Sequence, residues 1–440
     1  MADQKISELT EKTTPIGADL LAIVDTEASP DETKKVTLSN LLQSGVTVCV
    51  TSGTSIPASP STGEGWYNTN LGVLFRYSGS AWTAVQSFGA ITFYVDGASG
   101  TDDLEHGHAS GASAFATNQY AIDQIPGLNG GNVSLNISGN TYTEDLVVEG
   151  KNVMGNYTLT MTGTLQDAGD GTLTCTTGSV QGTGATQGTV ECSTSPWTTN
   201  EVANKLVRFT SGVNDGITRL IDSNDANTLT ICGTWPSGAP ASGDSFVVED
   251  WATIVDSIEF RSPSLRSYVH SIKCTGANEY PIQVASNSYA TCYGCWFTGA
   301  NPIYATFGAW LDLDYCYSDV TSLRATYNAR GSTITLMRTK FDGIAGQQAL
   351  AYVCNVSYML VTEGSVLDGA DGTNYGIYAR GTSLVVCYSA DADGLNRIRN
   401  CDVAGVRAEL GGQVTNTSDN VYSGNTTDES ADAASFGYID

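Results

Sequence analysis

Cys274, Cys295 and Cys316 stand 21 residues apart, and the residues that follow the repeat position recur with them: Cys-Trp-Phe-Thr-Gly at 295–299, Thr-Lys-Phe-Asp-Gly at 339–343, Ser-Val-Leu-Asp-Gly at 365–369 and Cys-Asp-Val-Ala-Gly at 401–405. A period of about twenty residues, built from short Val-, Ile-, Tyr- and Thr-rich runs with Gly and Asn between them, predicts the stacked coils of a β-solenoid. Each coil can bury its apolar face only on its neighbours, which leaves few other folds open. Placing the repeat position at Cys274, Cys295, Cys316, Thr339, Ser365, Cys401 and Asn420 gives intervals of 21, 21, 23, 26, 36 and 19. The unequal intervals predict loops inserted at coil corners, the largest between Ser365 and Cys401. Seven coils spaced at about 4.8 Å make a rod segment on the order of 30 Å long.

Charge and cysteine usage narrow the function classes. Charged residues are only 15% of the 440, while Gly takes 48 positions and Tyr 21, which places the chain in the all-β class. Acidic residues outnumber basic ones 46 to 20, a formal net charge of −26 that repels phosphate backbones and anionic membranes. Nucleic acid is therefore not expected as a partner. Membrane insertion is not expected either, since the sequence has no run of 18 apolar residues and Met1 to Lys5 lacks the apolar core of a secretory leader. Most of the eleven cysteines lie inside strand-like runs such as Leu384-Val385-Val386-Cys387. They read as small buried hydrophobes of a chain folded in a reducing compartment, with disulfides or a metal as the alternatives.

Along the chain, residues 1–45 hold one strand-turn-strand followed by one short helix, Leu20 to Asp25, an acidic turn and Lys35 to Leu42, too small to be stable alone. Within it, Lys-Ile-Ser-Glu-Leu-Thr at 5–10, Pro-Ile-Gly-Ala-Asp-Leu-Leu-Ala-Ile-Val-Asp at 15–25 and Lys-Lys-Val-Thr-Leu-Ser-Asn-Leu-Leu at 34–42 resemble the N-terminal attachment segment of bacteriophage tail fibres and tailspikes. The resemblance implies a virion anchor carried by Ile6, Leu9, Pro15, Leu20, Leu21, Ile23, Val36, Leu38 and Leu41. Residues 46–89 read as a Ser/Thr/Pro-rich linker and an aromatic hairpin unit around Trp66, Phe75 and Trp82, which packs on neighbouring subunits or binds sugar. Residues 90–165 begin the coils, with an amphipathic helix over Ser113 to Ile125 stopped by Pro126 and covering the open end of the bore. This strand, capping helix, Gly-Gly and alternating strand order resembles the start of right-handed parallel β-helices of the pectate-lyase-like kind used in tailspikes. Residues 166–250 predict a small antiparallel β domain inserted between coils, 251–427 the main coils, and 428–440 an acidic tail that frays.

Candidate chemistry is sparse. Asp312 and Asp314 alternate on one strand and form an exposed ladder if Leu311 and Leu313 point inward; they read either as a catalytic acid and base or as a solvated face. Asp342 and Asp368 precede the repeat glycines, where Asp serves turns well, yet stacking would make them a like-charge pair with one raised pKa. Cys292-x-x-Cys295 has no second pair, and residues three apart on a strand face opposite sides, so packing is the reading. His106 and His108 with Asp102 or Asp103 are a polar loop or a metal site, and no metal or other cofactor is called for. Trp296, Trp310, Tyr315, Tyr317 and Tyr378 with Arg380 offer flat apolar faces and a cation to a glycan, with packing between subunits as the equal alternative. The arginines Arg324, Arg330, Arg338, Arg380, Arg397, Arg399 and Arg407 gather in the last coils, facing an anionic glycan or pairing with Asp across a subunit contact.

The expectation is an all-β, right-handed parallel β-helix with a small N-terminal anchor and an inserted antiparallel β domain. The tailspike resemblance implies a homotrimer, folded in the bacterial host cytoplasm and carried on the virion. Its N-terminus would join it to other virion proteins of the tail, baseplate or capsid. Three functions compete: a subunit that attaches to the host surface and contacts its polysaccharide, a depolymerase of capsule or lipopolysaccharide, and a structural spike with no receptor.

Overall fold

The computed structural model describes residues 20–25, 32–37, 50–153, 157–179, 187–192, 197–261, 266–276, 280–320, 324–344, 346–388, 395–416, 420–431 and 438–439. Of the anchor residues, Ile6, Leu9, Pro15, Leu38 and Leu41 lie outside these. Leu20, Leu21, Ile23 and Val36 lie on an antiparallel pair of strands, Leu20–Asp25 with Glu32–Thr37.

From Ile91 onward the chain winds a parallel β-solenoid of about 10 turns. One long sheet, sheet I, stacks eleven parallel strands, among them Ile91–Val95, Val133–Ile137, Thr158–Thr162, Arg266–His270, Tyr289–Tyr293, Trp310–Asp314, Thr333–Met337 and Tyr358–Thr362. A second parallel sheet, sheet II, collects the other two sides of each coil in fourteen strands. Alternation along each strand sends one set of side chains into the bore: Phe93, Leu135, Met161, Val269, Cys292, Leu313, Leu336 and Val361 are all fully buried on sheet I. Stacked coils align these positions, so one continuous core runs the length of the rod.

The 21-residue period has a different meaning from the one its cysteines suggest. Strand register opposes Cys274 to Phe297, while Lys273 opposes Trp296, so the residue below Cys295 is Ile272. The true corner row is Ile272, Cys295, Cys316, Thr339, Ser365, Asn396 and Asn420, all but the last buried; Cys274 and Cys401 do not belong to it. Its polar members link successive coils: the N–H of Cys316 donates to Thr339 Oγ1 (3.4 Å), that of Thr339 to Ser365 Oγ (3.3 Å), that of Ser365 to Asn396 Oδ1 (3.1 Å), and Asn396 Nδ2 to Asn420 Oδ1 (2.9 Å). A corner that turns inward leaves backbone donors without a strand partner, and short polar side chains supply one. Cys292 and Cys295 both face the bore, contrary to the strand-alternation reading, because Gly294 turns the chain between them at φ +55°. The ten cysteines among the described residues are free and buried.

Val366–Arg380 and Arg397–Glu409 are single strands of 15 and 13 residues that run across two sides of the coil, and Val366–Arg380 covers the same length as Lys340–Cys354 in the coil before it, so the longer step from Ser365 to Asn396 arises after Cys387 and not within the strand. The capping helix is also shorter than its sequence pattern, spanning Asn118–Asp123. Phe115 is drawn out of it because its backbone pairs with Tyr94 and Asp96 of the first strand, a sheet bond the helix cannot match. Trp66 and Phe75 of the aromatic unit, with Trp82 half-buried beside them, pack onto the first coil of their own chain and close the bore together with Ala121 and Ile122.

Between Thr162 and Ile254 the chain leaves the rod to build an eight-stranded antiparallel domain, which includes Leu206–Phe209, Thr218–Asn224, Thr228–Ile231 and Ser245–Trp251. Phe209, Ile221, Ile231, Trp235, Phe246 and Val248 give it a core of its own. It docks on one side of sheet II, where Leu206, Leu220 and Trp251 meet Tyr315, Tyr317 and Trp296 of the coils.

Candidate functional site: an aromatic platform on sheet I

The docked domain covers several residues singled out from the sequence. Asp342 and Asp368 are register partners on neighbouring coils, as stacking required. Both lie in an ion cluster closed over by the inserted domain. Lys340 Nζ is 3.5 Å from Asp342 and 3.4 Å from Asp222 of the insert; Arg399 is 2.7 Å from Asp368 and 3.0 Å from Asp222. Asn204 Nδ2 and Tyr317 Oη each donate to Asp342 Oδ2 at 3.0 Å. Burial raises the Asp342 carboxyl by more than Lys340 lowers it, and the neighbouring Asp368 charge adds to the rise. Burial alone would lower Lys340, yet Asp342 and Asp222 outweigh it and hold the ammonium above its ordinary value. A carboxyl pair largely covered by a domain and engaged by cations is poorly placed to meet a polymer substrate, so these two aspartates join domain to rod. Trp296, Tyr315 and Tyr317 are taken up in the same contact, with Lys273 Nζ 3.0 Å from the Trp296 ring centroid.

Asp314 is likewise buried, held bidentately by Arg338 (2.6 and 2.8 Å), which also reaches Glu363 at 3.0 Å. The exposed acidic ladder does not form, although Leu311 and Leu313 do point inward. The arginines Arg338, Arg397, Arg399 and Arg407 pair with carboxylates of their own chain, leaving no need for a subunit contact.

Tyr378 and Arg380 belong to a ladder on the far side of sheet II. Tyr280, Tyr304, Tyr327, Tyr352 and Tyr378 stack one per coil with ring centroids 4.5, 5.3, 5.5 and 5.3 Å apart. The first three contacts are near-parallel, and Arg324 lies 4.9 and 4.1 Å from the Tyr327 and Tyr352 centroids. Rings that cover one another present edges and hydroxyls outward, so this ladder offers little free face to a sugar. At its end, Asp145, Glu259, Arg261, Tyr280 and Gln283 line a cleft of about 260 Å³.

The outward face of sheet I carries a different arrangement. Arg266, Tyr289 and Trp310 occupy one row on successive strands, and Tyr268, Thr291 and Asp312 the next. Arg266 Nη2 donates to Tyr289 Oη (2.6 Å), Tyr289 Oη donates to Asp312 Oδ2 (2.5 Å), and Trp310 Nε1 donates to Asp312 Oδ1 (2.7 Å). The guanidinium lies 4.3 Å from the Tyr289 ring centroid and 5.5 Å from that of Tyr268. Its hydrogen bond to Tyr289 raises Arg266, and among the described residues it has no carboxylate partner. Beside this row His270 stacks on Tyr293 at 4.8 Å, and burial holds the imidazole below its ordinary value. Trp310 remains 47% exposed.

The fold thus unites Trp310 and Asp312, separates them from the other candidates, and adds Arg266, Tyr268, Tyr289, Tyr293 and His270, which sequence reasoning passed over. Their spacing of 21 to 23 residues is the coil period itself, and applying that period to the aromatics would have found the row. Both oxygens of Asp312 are engaged in holding the two rings, which makes the group a brace for a rigid aromatic surface. His106 Nδ1 meets Asp103 Oδ1 at 2.5 Å, and no group of three or more potential metal ligands occurs among the described residues. Nor is any helix among them long and apolar enough to cross a membrane.

No protein-family model and no curated protein matches the chain. Solved structures do. One is the tailspike of Acinetobacter baumannii bacteriophage AP22, in complex with A. baumannii capsular saccharide: 8% identity over 68% of this chain, TM-score 0.19, and only 64% of that protein's own length is spanned. Another is a glycoside hydrolase: 9% identity over 79% of this chain and 96% of that one, TM-score 0.24. A third is the tailspike of Pseudomonas phage phi297: 12% identity over 70% and 74%, TM-score 0.18. Scores this low place no residue of this chain on a residue of those proteins.

Proposed function

We propose that this chain is the subunit of a tailspike-like phage appendage that binds a host surface polysaccharide on the aromatic platform of sheet I. The observation that carries the reading is the braced set Arg266, Tyr289, Asp312 and Trp310, an outward cation and rings that no other part of the described chain covers. Sugars present apolar ring faces and hydroxyls together, and a half-exposed indole beside fixed hydrogen-bonding groups answers both. Attachment through residues 1–45 to other virion proteins, and a homotrimer, complete the proposal on the strength of the sequence resemblance. Binding of purified host capsule or lipopolysaccharide by calorimetry tests it. Trp310→Ala should weaken affinity by about tenfold or more while leaving the fold intact, and unchanged affinity would sink the platform.

The depolymerase reading gains one specific observation, the cleft where strands Thr141–Glu149 and Ile254–Arg261 bring Asp145 and Glu259 together. Asp145 already accepts from Ser257 (2.6 Å) and Glu259 from Arg261 (2.6 Å), which favours structure over catalysis. Release of new reducing ends from the polysaccharide, abolished by Glu259→Gln, would reverse that preference.

A further inference from the structure

Each coil passes from sheet II to sheet I through a two-residue corner in the left-handed region: Ser286-Asn287, Phe307-Gly308, Arg330-Gly331, Asn355-Val356, Gly381-Thr382 and Leu410-Gly411. Gly and Asn suit that conformation; Phe, Leu and above all the β-branched Val do not. Yet Phe307 (φ 56°), Val356 (φ 65°) and Leu410 (φ 51°) occupy it, and their side chains are 51%, 71% and 46% exposed. These residues bear two unfavourable terms at once, a left-handed backbone and apolar surface in water, and of the three side chains only Phe307 has a cation over its ring. Strain of this kind persists where it serves a contact.

The corners form a continuous ridge. The N–H of Asn287 donates to the carbonyl of Phe307 (3.0 Å), Gly308 to Arg330 (3.2 Å), Gly331 to Asn355 (3.2 Å) and Val356 to Gly381 (3.2 Å). Arg330 lies 4.4 Å over the Phe307 ring and has no carboxylate partner among the described residues. In a chain of net charge −26, not one of these twelve corner residues is acidic.

From these facts we infer that the corner ridge is where copies of this chain pack against one another in a parallel homo-oligomer, with Phe307, Val356 and Leu410 as its apolar contacts. The occupant is a second copy for two reasons. In a highly acidic protein, a surface free of carboxylates meets the least self-repulsion from a second copy. In addition, a ridge with one residue per coil rises by the strand spacing of about 4.8 Å, and a rotation axis along the rod brings identical levels of identical ridges together. This inference deepens the proposed homotrimer by naming its contact, and it rests on that reading.

The triple variant Phe307→Asn, Val356→Asn, Leu410→Asn tests it, since Asn adopts the left-handed conformation more readily and the coils should fold as before, checked by circular dichroism. Light scattering coupled to gel filtration should give a three-chain mass for the unsubstituted protein and a single-chain mass of about 46.2 kDa for the variant. Val356→Cys should be protected from a bulky maleimide in the assembled protein. A three-chain mass for both proteins with free labelling of Val356→Cys would overturn the corner and leave the trimer standing. A single-chain mass for the unsubstituted protein would overturn both.

Discussion

Two outward surfaces of the same rod use the same residue types to opposite ends. On the covered side of sheet II, Asp342, Asp368, Lys340, Arg399, Trp296 and Tyr317 are shut beneath the inserted domain and saturate one another. On sheet I, Asp312, Arg266, Tyr289 and Trp310 make an equally ordered set that ends in exposed aromatic surface. Neither composition nor local sequence separates them. The difference is whether another layer of protein lies on top, and so a carboxylate and an indole mean attachment of a domain in one place and an open surface, proposed above to bind, in the other.

Removing a charge from the covered side should have the largest effect. Asp222 is 1% exposed and faces Lys340, Arg397 and Arg399. Asp222→Ala takes from Arg397 its carboxylate and from Lys340 and Arg399 one of the two that each has, and up to about 3–5 kcal/mol of stability should be lost in denaturant unfolding, against an unchanged midpoint if the cluster were solvated. The equivalent cut on the open side, Tyr289→Phe, removes the hydroxyl between Arg266 and Asp312. It should cost about 1 kcal/mol or less in stability and yet weaken polysaccharide binding several-fold, with equal losses in both assays refuting a binding role.

The corner row that joins the two surfaces comes next. Thr339→Val deletes the acceptor for the Cys316 N–H and should cost about 1–2 kcal/mol by thermal unfolding, with Ser at this position restoring most of it. The smallest effect is a pH dependence. His270 is held neutral by burial, its folded pKa lying below the unfolded value near 6.5, so the unfolded chain takes up a proton first. The stability it lends is full above about pH 6.5 and lost as pH falls through the depressed folded pKa, and His270→Phe should flatten that part of the stability–pH curve. A curve that stays unchanged would show that the stack with Tyr293 does not govern the imidazole.

Much of the fold was legible because a solenoid writes its geometry into one local period. The coil length, the all-β class and the inserted domain all follow from patterns within about twenty residues of one another. Even so, the period was attached to the wrong residues at two places: Cys274 lies two residues past the row position Ile272, on the same side-chain face, and Cys401 lies five past Asn396. The sites were far less legible. Asp145 and Glu259 are neighbours across an insertion of more than eighty residues, and Asp222 meets Arg399 across a still longer span, so no motif spacing could announce either contact.

What the amino-acid order determined by itself is the rod: alternation puts apolar side chains in the bore, and Gly, Asn and short polar residues turn the corners, because both are local consequences of strand geometry and backbone sterics. What only the tertiary structure decided is which outward residues stay open. Whether a side chain is free or consumed depends on what packs over it, and here that was settled by a domain folded from residues far away in the chain.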